Sequence, residues 1–150
     1  MKFKYRAFKN LANPKIEYGK MPLLRVILKN GLKTFPLECL VDSGASTSLI
    51  SYDIAAILDI DVTALTVQEY EGIGNTTVTG YIGKLELKVE GFDEWITIET
   101  GFTPNDDFPV LGHSGFFDAY EITFRTYQQK FELKRKPDKK SRLKPKGLRN

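Results

Sequence analysis

The chemistry open to this chain is narrowed by its scarcest residues: among 150 positions there is one Cys and one His. Cys39 alone cannot close an intramolecular disulfide, and Cys39 with His113 cannot furnish a His/Cys zinc site. A Ser-His-Asp triad would have to use His113. Carboxylates and hydroxyls remain, and one carboxylate stands out. In Leu40-Val41-Asp42-Ser43-Gly44-Ala45-Ser46 an apolar strand delivers Asp42 into a tight turn of hydroxyl, glycine and small residues. Alone, such a string also describes an ordinary Asp-Ser-Gly turn. Carboxylates can do acid–base chemistry in pairs. Two carboxyls brought within about 3 Å cannot both ionise, so they share a proton. The charged one then acts as base on a water while the protonated one polarises a carbonyl. Neither a metal nor a cofactor is called for.

Two further features follow Asp42 along the chain. The first is a glycine-rich hairpin tip, Glu71-Gly72-Ile73-Gly74-Asn75, and the second is Pro109-Val110-Leu111-Gly112. In this order and spacing the three resemble the retroviral-type, retropepsin-like aspartic proteases, over roughly residues 23–125. The resemblance implies that Asp42 is catalytic, with Ser43 and Gly44 supporting its loop. It implies that Ala45, Ser46 and the tip Gly72, Ile73, Gly74 and Asn75 contact an extended peptide. Leu111, Gly112 and His113 would lie on the strand beside the catalytic loop. The glycines fit those roles, since a residue without Cβ lets backbone approach closely or bend sharply.

A second Asp-Ser/Thr-Gly string is absent from the chain. Glu99-Thr100-Gly101 comes nearest, but bulky Phe102 follows it, and it reads as a strand end with its turn. One motif is half of a dyad. The resemblance supplies the other half as a second copy of the chain, with a two-fold axis between the two Asp42 residues. The pattern also departs from the viral one. Where viral relatives place an acid and an arginine that pair with each other, this chain has Ser46 and His113-Ser114. Both partners are missing together, so no buried charge is stranded. His113 reads as a hydrogen-bonded residue at a loop-to-helix junction, and Cys39 as a small core hydrophobe.

These residues need a frame to position them. Residues 2–8 read as a strand, and Asn13-Pro14 as a turn. The apolar runs 23–29 and 32–41 flank Asn30-Gly31, which predicts a hairpin with a type I′ turn. A short helix is expected over 51–58 with Ser51 as its N-cap. Strands follow at 65–71, 76–90 and 94–100, then the run 108–112, one helical turn at 114–118, and a last hairpin formed by YEITFRTY and QQKFELK. Many short strands with one helix indicate an all-β barrel or sandwich. The resemblance narrows this to an all-β, retropepsin-like (acid protease) closed β-barrel with one short helix and a β-hairpin flap.

The length fits a single core. The expected division is an N-terminal strand or extension at 1–22, the protease-like domain at 23–133 and a basic tail at 134–150. The net charge of +3 conceals an asymmetry: residues 134–150 hold nine Lys/Arg and one Asp, while the rest holds 13 basic and 18 acidic residues. The tail lacks apolar periodicity and reads as disordered. No apolar stretch reaches the roughly 18 residues of a membrane span, and the N-terminus lacks a secretion-signal core, so a cytoplasmic protein without membrane contact is expected. The function expected is a homodimeric aspartic endopeptidase acting on extended peptides. Two rivals are a silent retropepsin-fold module for dimerisation or peptide binding, and a dimeric anchor whose 134–150 tail binds nucleic acid.

Overall fold

The computed structural model describes residues 1–9, 13, 15, 17–71, 74–104 and 108–138. Its elements are β1 (Lys2–Lys4), β2 (Arg6–Lys9), β3 (Glu17–Met21), β4 (Leu23–Asn30), β5 (Lys33–Val41), β6 (Ser48–Ser51), α1 (Tyr52–Ile57), β7 (Thr66–Glu71), β8 (Thr77–Val89), β9 (Ile96–Thr103), β10 (Val110–Leu111), β11 (Tyr120–Arg125) and β12 (Lys130–Arg135). Six strands form a hydrogen-bonded ring in the order β4-β5-β10-β6-β9-β8, closed by pairing of β4 with β8, and β7 extends it beyond β8. Closure gives each ring strand a neighbour on both sides and leaves the outer side of β7 as an edge. The chain is thus all-β, with one short α-helix among the described residues.

Alternation in the sequence explains which face closes inward. On β4, Leu24, Val26 and Leu28 are buried while Arg25 between them is exposed. Leu85, Leu87 and Val89 do the same on β8. Cys39 joins this core with no exposed surface. Its burial, and secondarily the Glu38 carboxylate, push the thiol far up, which leaves it protonated and unsuited to nucleophilic attack.

Local chemistry revises several sequence expectations. The β4–β5 turn is centred on Gly31-Leu32, because Asn30 pairs with Lys33. Gly31 has φ 60° and Leu32 is not left-handed, the φ pattern of a type II′ turn. Glycine takes the left-handed position that a Cβ would strain, and Asn30 is freed to donate from Nδ2 to the Leu58 carbonyl at the end of α1 (2.8 Å). Ser51 does precede α1, but its side chain makes no capping bond. The run 2–8 divides at Tyr5 between two sheets, β1 pairing with β12 and β2 with β3. The expected turn at Asn13-Pro14 lies partly outside the described residues. Glu99-Thr100-Gly101 lies inside β9, with Thr100 fully buried, and is no turn. The strand continues because Phe102 and Thr103 are themselves buried, and Gly101 pairs with Leu49 and Ile82 on either side.

At the other end, β1, β12 and β11 make a three-stranded sheet. Lys134 and Arg135 pair with Glu121 and Tyr120, so the sheet runs two residues into the basic stretch, while 139–150 lie outside the described residues. Phe3, Phe124 and Phe131 stack on its inner face, with Phe3 and Phe131 centred 5.2 Å apart. No helix among the described residues is long and apolar enough to cross a membrane.

Candidate active site

The strand β5 ends at Val41, and the chain turns sharply at Asp42. Two constraints hold this turn. The Gly44 N–H donates to Asp42 Oδ1 at 2.8 Å, which fixes the carboxylate, and the Ala45 N–H donates to the Asp42 carbonyl at 3.2 Å. From the other side, β10 runs parallel to β5 with Leu111 beside Val41. The Asp42 N–H donates to the Leu111 carbonyl at 3.1 Å, so the floor of the turn is tied to the strand expected beside it.

Past Leu111 the chain presses against the far side of the loop. The His113 and Ser114 N–H groups donate to the Ala45 and Ser46 carbonyls, each at 2.9 Å. Gly112 is buried between them, and a Cβ there would lie 2.6 Å from the Ala45 oxygen and 2.7 Å from the Thr47 carbonyl. Only glycine fits that approach. Its N–H donates to the Ser48 hydroxyl at 3.1 Å, a buried bond that joins β6 to the loop. The His113 ring adds one more tie: Nε2 lies 2.7 Å from the Ser43 carbonyl, and a bond there requires that nitrogen to carry the proton. The ring also stacks on Phe117 with centroids 4.6 Å apart. Backbone bonds and one imidazole therefore join Gly112, His113 and Ser114 to the loop of residues 43–48.

Asp42, half-buried, lies at the edge of a cleft of about 980 Å³, against about 400 and 470 Å³ for two other surface hollows. Gly44, Ala45 and Ser46 line it on one side, and Gln68, Tyr70 and Val78 from the β7–β8 hairpin on the other. Val110 and Phe108 complete one wall. The ionisable lining groups are Asp42, Glu69, Tyr70 and Glu71, with no Lys, Arg or His among them. Ser43 is exposed beside the cleft, with its carbonyl directed to His113. Leu111 is fully buried beneath the loop and shapes it from behind.

The hairpin pairs Glu71 with Thr77. Gly74 and Asn75, both exposed, take successive left-handed conformations with φ 80° and 58° at its tip. Gly72 and Ile73 lie outside the described residues. Tyr70 carries no local sequence mark of a site residue. Gly80 and Gly101 leave a notch, and the Tyr70 ring lies in it. Its hydroxyl is buried without a partner, and burial, then Glu99, push the phenol up. The signal was present as two glycines on neighbouring strands, which become a complementary notch only once the β7–β8–β9 register is known. The described residues hold no cluster of three or more His, Cys, Asp or Glu suited to a metal.

No family model matches the sequence, and no curated protein does. Among solved structures, a retropepsin-like aspartic protease from Rickettsia conorii is similar with a TM-score of 0.54 at 15% identity, over 87% of this chain and 97% of that one. EIAV protease complexed with the inhibitor HBY-793 is similar with a TM-score of 0.44 at 18% identity, over 63% of this chain and 83% of that one. The strand ring, the β10 strand passing behind the Asp42 loop and the likeness to the first of these structures agree: this chain has the retropepsin-like fold.

Proposed function

We propose that the chain is an aspartic endopeptidase that works as a homodimer, with Asp42 of each copy forming one half of the catalytic dyad. The observation that carries this reading is the placement of Asp42. Its carboxylate is held by the Gly44 amide at the edge of the largest cleft described, opposite a β-hairpin. One subunit offers one such carboxylate, and the chemistry needs two.

In the dimer the two carboxyls share a proton. The ionised one takes a proton from water as the oxygen attacks the scissile carbonyl, and the protonated one donates to the carbonyl oxygen as charge develops there. Collapse of the tetrahedral species passes a proton to the leaving amine and restores the pair. Extended substrate would lie along the cleft, with the β7–β8 hairpin acting as a flap and bonding peptide backbone in strand fashion. Val110, Phe108 and Leu49 give the cleft apolar walls suited to apolar side chains.

A dilution series tests the shared dyad. Cleavage per chain of a peptide library at pH 4–7 is expected to fall as sedimentation shows dimer giving way to monomer, and to recover on concentration. Constant activity per chain in samples that sediment wholly as monomer would contradict the proposal.

A further inference from the structure

The sheet formed by β1, β12 and β11 has two unlike faces. Its inner face is aromatic and aliphatic. Strict alternation places Lys2 and Lys4 of β1, Arg125 of β11, and Lys130 and Lys134 of β12 on the outer face. The acids there are Glu121 and Glu132. Register makes the charge distribution uneven. Lys4 lies opposite Lys130, and Lys130 lies opposite Arg125, so three cations form a row across all three strands.

Like charges directly opposite one another destabilise a sheet. At a strand separation of about 4.8 Å the row spans about 10 Å, near the Debye length at physiological salt, so the three fields add. Arg125 reaches Glu132 at 3.8 Å, and Lys2, Lys4, Lys130 and Lys134 take part in no ion pair among the described residues. The strand β12 then leads into residues 136–150, which carry seven Lys/Arg and one Asp. The cleft, by contrast, is lined by carboxylates without a cation. Among the described residues the cleft lining and this sheet face therefore differ in sign of charge.

We propose that the outer face of the β1-β12-β11 sheet is a binding surface for the phosphate backbone of nucleic acid, distinct from the Asp42 cleft and not confined to the basic tail. Charge complementarity selects a polyanion. Nucleic acid is favoured over a lipid surface because the outer positions carry no large apolar side chain to enter a bilayer. The strand positions of the face carry no aromatic ring, and Tyr127 is exposed on the turn between β11 and β12, so contact is made mainly through phosphates and with little sequence preference.

The test is fluorescence anisotropy of the full chain with a 24-base-pair DNA duplex of arbitrary sequence, across a range of salt concentrations. It is repeated with the variant carrying K2Q, K4Q, K130Q and K134Q, whose tail from Arg135 onward is intact. The wild type is expected to bind with a Kd that rises steeply with salt. The variant is expected to bind about tenfold or more weakly, with a slope of log K against log salt shallower by about 2 to 4. Its thermal midpoint should equal or slightly exceed that of the wild type, since all four side chains are exposed and the Lys4–Lys130 opposition is relieved. Three results overturn the proposal: no duplex binding by wild type at low salt, unchanged affinity and slope in the variant, or binding to phosphatidylserine vesicles with none to DNA. The assay reads binding alone, so it stands or falls separately from the protease reading.

Discussion

Replacing Asp42 with Asn is expected to lower peptide cleavage by at least about 10³-fold while leaving stability within about 0.5 kcal/mol of wild type. The two halves of this expectation have separate causes. Asn keeps an Oδ1 that accepts from the Gly44 N–H, so the bond that orders the turn survives. What is lost is a group that can hold or release a proton, and a dyad of two amides has no base for water. The substitution should also act across subunits. Adding excess Asp42→Asn chain to wild type converts active dimers to mixed ones with a single carboxylate, and cleavage should fall in proportion. A variant that cleaves as well as wild type would remove Asp42 from the mechanism. A mixture in which wild-type activity persists undiminished despite subunit exchange would remove the sharing.

Gly112→Ala is expected to produce the largest combined effect on fold and activity. The added Cβ would meet the Ala45 oxygen at 2.6 Å and the Thr47 carbonyl at 2.7 Å, and both belong to backbone that cannot rotate aside. The loop carrying Asp42 must shift to admit it. Overpacking of this kind costs about 1–3 kcal/mol. Misplacing a catalytic group by about 1 Å lowers rate by about 10²-fold. Chemical denaturation and cleavage assays on one preparation separate the two effects. Gly19→Ala is the control, because among the described residues no atom outside its chain neighbours lies within 4 Å of its added Cβ. Stability and activity of Gly112→Ala indistinguishable from that control would show that the β10-to-loop contact does not position the dyad.

Much of this arrangement could be read from the chain before any coordinates. The alternation of Leu85, Leu87 and Val89 sets the inward face of β8 whichever strands pair with it. Leu111-Gly112 could be placed near Asp42 only through the resemblance to the retropepsin-like proteases, which sets an apolar-apolar-glycine strand beside the loop. Most of the differences share a cause, in that they depend on which residues pair. Asn30-Gly31 was expected to form the turn, but a hairpin's register is a property of both strands. The pairing of Asn30 with Lys33 moves the turn by one residue. Residues 2–8 alternate well enough for one strand, yet Lys2–Lys4 and Arg6–Lys9 join different sheets. Glu17–Met21 was missed as a strand because Gly19 interrupts it and Lys20 is exposed, leaving little alternation to detect. Tyr70 was missed for the same reason as the turn. Its place against Gly80 and Gly101 joins three strands, and the local string Gln68-Glu69-Tyr70-Glu71 contains no trace of the other two.

His113 shows where a departure from a family pattern becomes informative. The sequence alone left it as a hydrogen-bonded residue near a helical turn. In the fold its ring reaches Ser43, within the turn that carries Asp42, and its backbone holds Ala45. A single imidazole and a set of main-chain bonds tie β10 to the loop, with no ion pair there among the described residues.

The most direct measurement of the shared dyad is a crystal structure of the assembled protein, read at the separation of the two Asp42 carboxylates. They are predicted to lie about 3 Å apart across a two-fold axis, close enough to share one proton. Copies associated with their Asp42 clefts facing apart, in a preparation that still cleaves peptides, would contradict the account.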